Sequence, residues 1–186
     1  MNTLGYAILG LMAGSSRTGY EVSRTMQRPL GYFWTARHSQ IYPELAGLEK
    51  DGLLRSRVVP GPGPRDTKRY SLTKKGKAAL TDWLASPRGD EPEKSELMLR
   101  VWSLWLLSPD QARRLITTVR EDTLEALAQT AIEREGFSPG VATTDLSDPE
   151  FGRWATLQWG IAHREALLGW CDWLLLRLDE SEGSSP

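Results

Sequence analysis

Cysteine is nearly absent from this chain of 186 residues, which contains only Cys171. A lone thiol excludes an internal disulfide framework and suits a reducing compartment. Histidine is almost as scarce, with His38 and His163 far apart in sequence. No zinc-like Cys/His grouping can be assembled from them, so neither a metal nor another cofactor is expected. Cys171 lies two helical turns from His163, too far for a thiolate–imidazole pair. No Gly-rich phosphate loop follows a strand, and acidic pairs such as Asp90-Glu91 fall in a connection. These gaps weigh against catalysis, and the chain is expected not to be an enzyme. Long apolar runs are missing too. The richest, Leu97–Leu107 and Ala166–Leu178, are interrupted by Arg100 or by Asp172 and Arg177. Both fall short of the roughly twenty residues a bilayer needs. The N-terminus lacks the basic segment of a secretory signal, so a cytoplasmic location without a membrane partner is expected.

Net charge is close to zero at −1, but its distribution is uneven. Residues 1–80 carry 13 Lys+Arg against 5 Asp+Glu, a balance of +8; residues 81–186 carry 10 against 19, a balance of −9. A basic first part beside an acidic second part means that the first is the one suited to a polyanion. Two solvated faces without a partner are the plain alternative. Charged residues make up a quarter of the chain, against a disordered or membrane protein, and the length allows one or two small domains with real cores.

The most informative stretch is HSQIYPELAGLEKDGLL, His38 to Leu54. Ile41, Leu45 and Leu48 fall on one helical stripe. Ser39 is placed to cap the start, and Gly52 stands where a helix C-terminus favours a left-handed residue. The opposite side carries His38, Gln40, Tyr42 and Lys50. Beyond Gly52, Leu54 to Val59 reads as a strand, residues 60–64 (PGPGP) as a turn, and Thr67 to Leu72 as a second strand. Arg55, Arg57, Arg65, Lys68 and Arg69 flank the tip. A helix followed by a basic hairpin is the layout of a winged helix-turn-helix, whose helix enters the DNA major groove.

Upstream, Thr3 to Ala13 reads as a helix with Leu4, Ala7, Ile8, Leu11 and Met12 inward. Thr18 and Glu21 form a capping box for a second helix, about Gly19 to Leu30, with Tyr20, Val22 and Met26 as packing residues. Residues 31–34 (GYFW) make an aromatic connection. Thr73 caps a fourth helix through about Ala85.

The segments LGYAILGLM, TGYEVSRTM, IYPELAGLEKDGLL and KRYSLTKKGKAAL together resemble the N-terminal domain of PadR-type bacterial transcriptional regulators, in order from about Leu4 to Leu84. The remaining hundred residues resemble the longer-tailed branch of that family, which ends in a long helix like QWGIAHREALLGWCDW. The resemblance implies a dimeric DNA-binding regulator, cytoplasmic and nucleoid-associated. It also implies a DNA contact for the tyrosine of the string, here Tyr42. Ser39 and Gln40 sit at the same helix end, and Gln suits a bidentate pair with adenine. With Thr18, His38, Arg65, Lys68 and Arg69 they make up the expected DNA-contact set. Solvated strand positions are as good a reading as contacts for Arg55 and Arg57.

After a linker at residues 87–93 (PRGDEPE), the second half reads as helices. Lys94–Leu107 forms about four turns rich in apolar residues. Ser108, Pro109 and Gln111 open a helix to about Glu135 with a capping box. Its apolar residues Ala112, Leu115, Ile116, Val119, Leu124, Leu127 and Ala131 lie roughly on one side. Residues 137–148 form a loop. From Asp148-Pro149 a last helix runs to about Leu178, about 45 Å at 1.5 Å per residue. Trp154, Leu157, Ile161 and Leu168 lie on one side of it, and Ala155, Trp159, Ala162, Ala166, Trp170 and Trp173 on the other. One side suits its own subunit and the other a two-fold partner.

The expected fold is therefore mainly α with a small β-wing. Residues 1–86 form a winged helix-turn-helix, 87–93 a linker, 94–180 a helical dimerisation and effector domain, and 181–186 a disordered tail. Seven of eight tryptophans follow the wing. Core and interface roles account for aromatics of this kind. The sharper reading places Trp102, Trp105 and Trp154 in a pocket for a flat aromatic effector, with His163 as a polar anchor, since PadR-like regulators commonly release DNA on binding such molecules. The functional expectation is a dimeric repressor released from its operator by a small aromatic or planar molecule. A winged-helix protein-interaction module, or a regulator without effector release, stands as the alternative.

Overall fold

The structure, a computed structural model, describes residues 1–27, 38–60, 66–87, 95–137 and 145–183. Two compact units divide the chain, Met1–Asp90 and Glu91–Pro186. The first runs α1 (Thr3–Gly14), β1 (Arg17–Thr18), α2 (Gly19–Gln27), α3 (His38–Lys50), β2 (Leu54–Val59), β3 (Thr67–Leu72) and α4 (Lys74–Ala85). It is a winged helix. The second comprises α5 (Glu96–Trp102), a 3-10 turn (Leu104–Leu106), α6 (Pro109–Glu135) and α7 (Pro149–Gly183).

The core of the first unit is made by the stripes the sequence presents. Ile8, Leu9 and Met12 of α1, Val22 and Met26 of α2, and Ile41, Leu45 and Leu48 of α3 are all buried, closed by Leu53, Leu54, Tyr70 and Leu80. Each such side chain contributes about 1.5–3 kcal/mol by leaving water. Tyr20, expected to pack, is instead 64 % exposed; the buried side of α2 carries Val22, Ser23 and Met26, and Tyr20 falls off it. Tyr6 of α1 stacks on Trp83 of α4 at 4.5 Å between ring centroids, which assigns one tryptophan to packing.

Element ends follow local chemistry. Asn2 caps α1 by accepting from the Gly5 amide at 2.8 Å. The expected Thr18–Glu21 box is present: the Glu21 amide donates to Thr18 Oγ1 at 3.2 Å, and the Thr18 amide to Glu21 Oε2 at 2.7 Å. At the end of α3, Gly52 has φ +72°. Its amide donates to the Glu49 carbonyl and that of Leu53 to the Leu48 carbonyl, the paired bonds of a Schellman motif. Ser39 is not the cap: α3 already contains His38 and Ser39. Thr73 caps α4 as expected, accepting from the Gly76 amide at 3.0 Å.

β2 and β3 form the expected antiparallel hairpin, with Leu54 opposite Leu72 and Val59 opposite Thr67. The expectation of two strands is corrected by β1, which pairs with β3 to give a three-stranded sheet of order β1-β3-β2. Two residues have no periodicity to read.

In the second unit the four-turn helix expected over Lys94–Leu107 is shorter. Ser95 caps α5, which ends at Trp102, and Ser103 divides it from the 3-10 turn. α6 begins at Pro109 with the capping box of Ser108 and Gln111 in place. Leu124 and Ala131 are exposed, while Thr123 and Thr130 are buried. Threonine enters the apolar stripe because its hydroxyl donates to a carbonyl one turn back, Val119 for Thr123 and Leu127 for Thr130. α7 packs along α6 through Leu157 and Cys171 and continues to Gly183, past the expected end near Leu178. Its 35 residues span about 52 Å. Arg113–Asp179 and Arg120–Asp172 ion pairs link the two helices. Among the described residues, no helix is long and apolar enough to cross a membrane.

Candidate nucleic-acid interface

The buried stripe of α3 dictates which residues face outward. With Ile41 and Leu45 at 0 % exposure, Ser39, Gln40 and Tyr42 stand on the outer side of the first turns. Pro43 follows inside the helix. It has no amide to offer the Ser39 carbonyl, so this end of α3 has one fewer helical bond. Tyr42 is 45 % exposed, and its ring lies across the first residue of α2: a Cβ built on Gly19 would fall 2.6 Å from Cε1 of Tyr42. His38 opens the helix.

The wing is bound to both helices by carboxylates. Residues opposite one another in the register share a face. Ser56, Lys68 and Tyr70 therefore lie on the α3 side of the sheet, and Arg55, Arg57 and Arg69 on the other. On the α3 side, Lys68 Nζ donates to Glu49 Oε2 at 2.9 Å and Ser56 Oγ to Glu49 Oε1 at 2.5 Å. The Ser56 bond first, then Lys68, holds the Glu49 carboxyl below its ordinary pKa, and the same pairing raises that of Lys68. Burial raises the phenol of Tyr70. On the other side, Arg69 donates to Glu21 Oε1 at 3.2 Å and to the Ser16 carbonyl at 2.9 Å. The Thr18 amide, with smaller help from Arg69, lowers the pKa of Glu21.

The expected contact residues thus separate by position. Ser39, Gln40 and Tyr42 share the outer side of α3, and Lys68 reaches toward that helix through Glu49. Thr18 is buried, with its hydroxyl engaged in the α2 cap. Arg69 points its guanidinium back to α2. Arg55 and Arg57 are exposed on the outer strand face. Arg65 and the aromatic connection 31–34 lie outside the described residues. Sequence reasoning missed Glu21 and Glu49 as the groups that fix the wing. Glu49 stands in the family string, but its wing partners Ser56 and Lys68 are brought together only by the hairpin register.

The expected effector residues lie in the second unit. Trp102 is 86 % and Trp105 80 % exposed, in α5 and the 3-10 turn. Trp154 is half-buried and packs at 6.0 Å against Phe151 in the first turns of α7. His163 stacks on Trp159 with 5.2 Å between centroids and 11° between planes. Nine residues separate Trp154 from His163, about 13 Å along the helix. Among the described residues, no group of three or more His, Cys, Asp or Glu is placed to hold a metal ion.

Residues 8–82 match the model of the transcriptional regulator PadR-like family, and residues 93–179 that of the virulence activator alpha C-terminal region. The negative transcriptional regulator PadR of Bacillus subtilis is 30 % identical over 181 residues, covering 97 % of this chain and all of that one. The chain belongs to the PadR-like family of transcriptional regulators. That is a family of regulators, not of enzymes. The crystal structure of B. subtilis PadR in complex with operator DNA superposes with a TM-score of 0.83 at 30 % identity, over 95 % of this chain and 99 % of that one. The B. subtilis PadR structure with p-coumaric acid gives 0.77 at 31 % identity, over 96 % and 99 %.

Proposed function

We propose that this PadR-like regulator binds operator DNA as a homodimer and is released by a small aromatic or planar molecule, acting as a repressor. The observation that carries the DNA reading is the outward Ser39, Gln40 and Tyr42 face on a helix whose opposite stripe is buried, beside a cationic wing. In this reading α3 enters the major groove; Gln40 and Ser39 reach base edges and Tyr42 a base or phosphate, with His38 at the helix start. Lys68 and Arg65 supply wing contacts to the backbone, joined by Arg55 and Arg57. Thr18 and Arg69 act by fixing α2 and β3. The B. subtilis PadR complex with operator DNA supports operator DNA as the partner.

Dimerisation is read from α7. Trp159, Ala162, Ala166, Gly169, Trp173 and Leu176 recur at alternating steps of three and four and are all exposed on this chain. Such a seam suits a second helix, and a two-fold pair would present two recognition helices to a palindromic site. The effector reading rests on the exposed Trp102 and Trp105, on Trp154 and His163, and on the relative's complex with p-coumaric acid. A ligand shifts the DNA-binding equilibrium only through different affinity for the two states.

Fluorescence anisotropy on DNA from immediately upstream of the chain's own gene, at two salt concentrations, tests the reading. Salt-sensitive binding that discriminates this duplex from random DNA is expected, with loss in Tyr42→Ala while folding and dimerisation persist. An affinity unchanged by Tyr42→Ala would refute the assigned site. Release by p-coumarate-like acids with tryptophan quenching tests the effector; no release by any aromatic acid leaves a ligand-independent regulator.

A further inference from the structure

Gly19 is the first residue of α2, and its φ is not in the left-handed region. No backbone demand therefore calls for glycine there, and at an ordinary helical φ alanine is the better helix former. What does call for it is close approach. A Cβ at this position would lie 2.6 Å from Cε1 of Tyr42 and 3.2 Å from both Cδ1 and Cζ. Contacts under about 3 Å between carbons are repulsive, so any side chain here displaces the ring.

The floor under that ring is itself held fixed. Thr18 and Glu21 close the capping box around Gly19. The second oxygen of Glu21 accepts from Arg69 of β3, which also bonds the Ser16 carbonyl. Thr18 pairs with Arg69 in the sheet register. One carboxylate thus ties the wing strand to the start of α2, and the start of α2 supports the tyrosine of α3.

We propose that Gly19 is the seat of Tyr42, a positioning residue for DNA binding: the missing side chain lets the ring lie on the α2 backbone, and this sets the direction of its hydroxyl. The proposal deepens the DNA-binding reading and rests on it. Gly19 touches no nucleic acid in this role; it acts through Tyr42.

A double-mutant cycle on the full-length protein tests this, with Gly19→Ala, Tyr42→Ala and the double variant bound to the same upstream duplex. Gly19→Ala should weaken binding about tenfold, the scale of one lost contact. The double variant should bind no more weakly than Tyr42→Ala, since a seat without its ring has nothing to hold. Wild-type affinity in Gly19→Ala beside a weak Tyr42→Ala overturns the seat, and so do losses that add in full. Wild-type affinity in Tyr42→Ala instead overturns the DNA-contact reading, a separate result. A readout independent of DNA is proton NMR: the Hα of Gly19 should give a nuclear Overhauser effect to the ring protons of Tyr42, as the close approach of the two requires. Absence of that effect in the wild type overturns the geometry. Should Gly19→Ala lower the thermal midpoint, removal of the ring in the double variant should restore it; failure to restore it counts against the seat.

Discussion

The two units use their apolar residues in opposite ways. Among the described residues, twelve buried hydrophobic residues lie in the first unit and four in the second, Ala112, Ile116, Leu157 and Cys171. Of the described large hydrophobics left exposed, six lie in the first and twelve in the second. The first unit therefore closes a core from its own chain: three helices around Ile41 and Leu45, sealed by a sheet and α4. The second, in a single chain, is a pair of long helices with a narrow shared seam and a remainder facing water. The lesson is that one unit closes a core within its own chain, while the other leaves apolar side chains in water, which in our proposal a second copy covers.

The sharpest way to break this comparison is to charge the open face of α7. Trp159 and Trp173 are each 50 % exposed on this chain and are the two tryptophans of its seam. Interface tryptophans are frequent hot spots, about 2–4 kcal/mol each when fully buried in the complex. Trp159→Glu with Trp173→Glu should convert the dimer to monomer at micromolar concentration in sedimentation velocity. The first unit should keep its helical signal and its unfolding midpoint. A double variant that stays dimeric would place the interface elsewhere and remove the reason for the second unit's exposed residues.

A smaller effect separates the units by how tightly they pack. Gly76 of α4 lies beneath the turn after α3, where a Cβ would fall 2.2 Å from the Leu53 carbonyl oxygen and 2.8 Å from Leu72 Cδ1. The nearest obstacle is backbone and cannot swing aside. Gly76→Ala should cost about 1–3 kcal/mol, the usual penalty of overpacking, read as a lower midpoint in urea. Gly152 of α7 is exposed, and its Cβ would meet nothing within 4 Å. Gly152→Ala should be neutral or stabilise by up to about 1 kcal/mol through helix propensity. Equal destabilisation by both changes would deny the difference between a closed core and an open pair.

The same contrast governs what could be read from residues alone. Ile41, Leu45 and Leu48 share one face at helical spacing, so α3 and its buried side were legible, as were the Gly52 terminus, the Thr73 cap and the capping boxes at Thr18 and Ser108. Each is a local rule satisfied within a few residues. β1 escaped because two residues gain their strand character only from pairing with β3. Thr123 and Thr130 escaped because their polarity conceals a hydroxyl that bonds its own helix. In the candidate site, the Ser39, Gln40 and Tyr42 face followed from the apolar stripe behind it. The carboxylates that fix the wing, and the glycine beneath Tyr42, depend on approaches between segments more than twenty residues apart or on register, which no periodicity encodes.

The smallest effect concerns those carboxylates, and it should appear in the first unit. Glu21 and Glu49 both have folded pKa values below their ordinary ones, Glu21 chiefly through the Thr18 amide and Glu49 chiefly through Ser56. A lowered carboxyl stabilises the fold above its unfolded pKa, and that contribution disappears as pH falls through the lower, folded value. Stability of the first unit should thus be level near neutrality and decline from the ordinary carboxylate range downward. Glu21→Gln keeps the shape of the capping box but loses the charge that faces Arg69. It should cost about 0.5–1 kcal/mol at pH 7, the scale of a cap with an exposed ion pair, and nothing at a pH low enough to protonate the wild-type carboxyl. Thermal midpoints of the two proteins should therefore converge as pH falls. Curves that stay parallel down to the acid limit would mean that Glu21 holds the wing through its shape and not its charge.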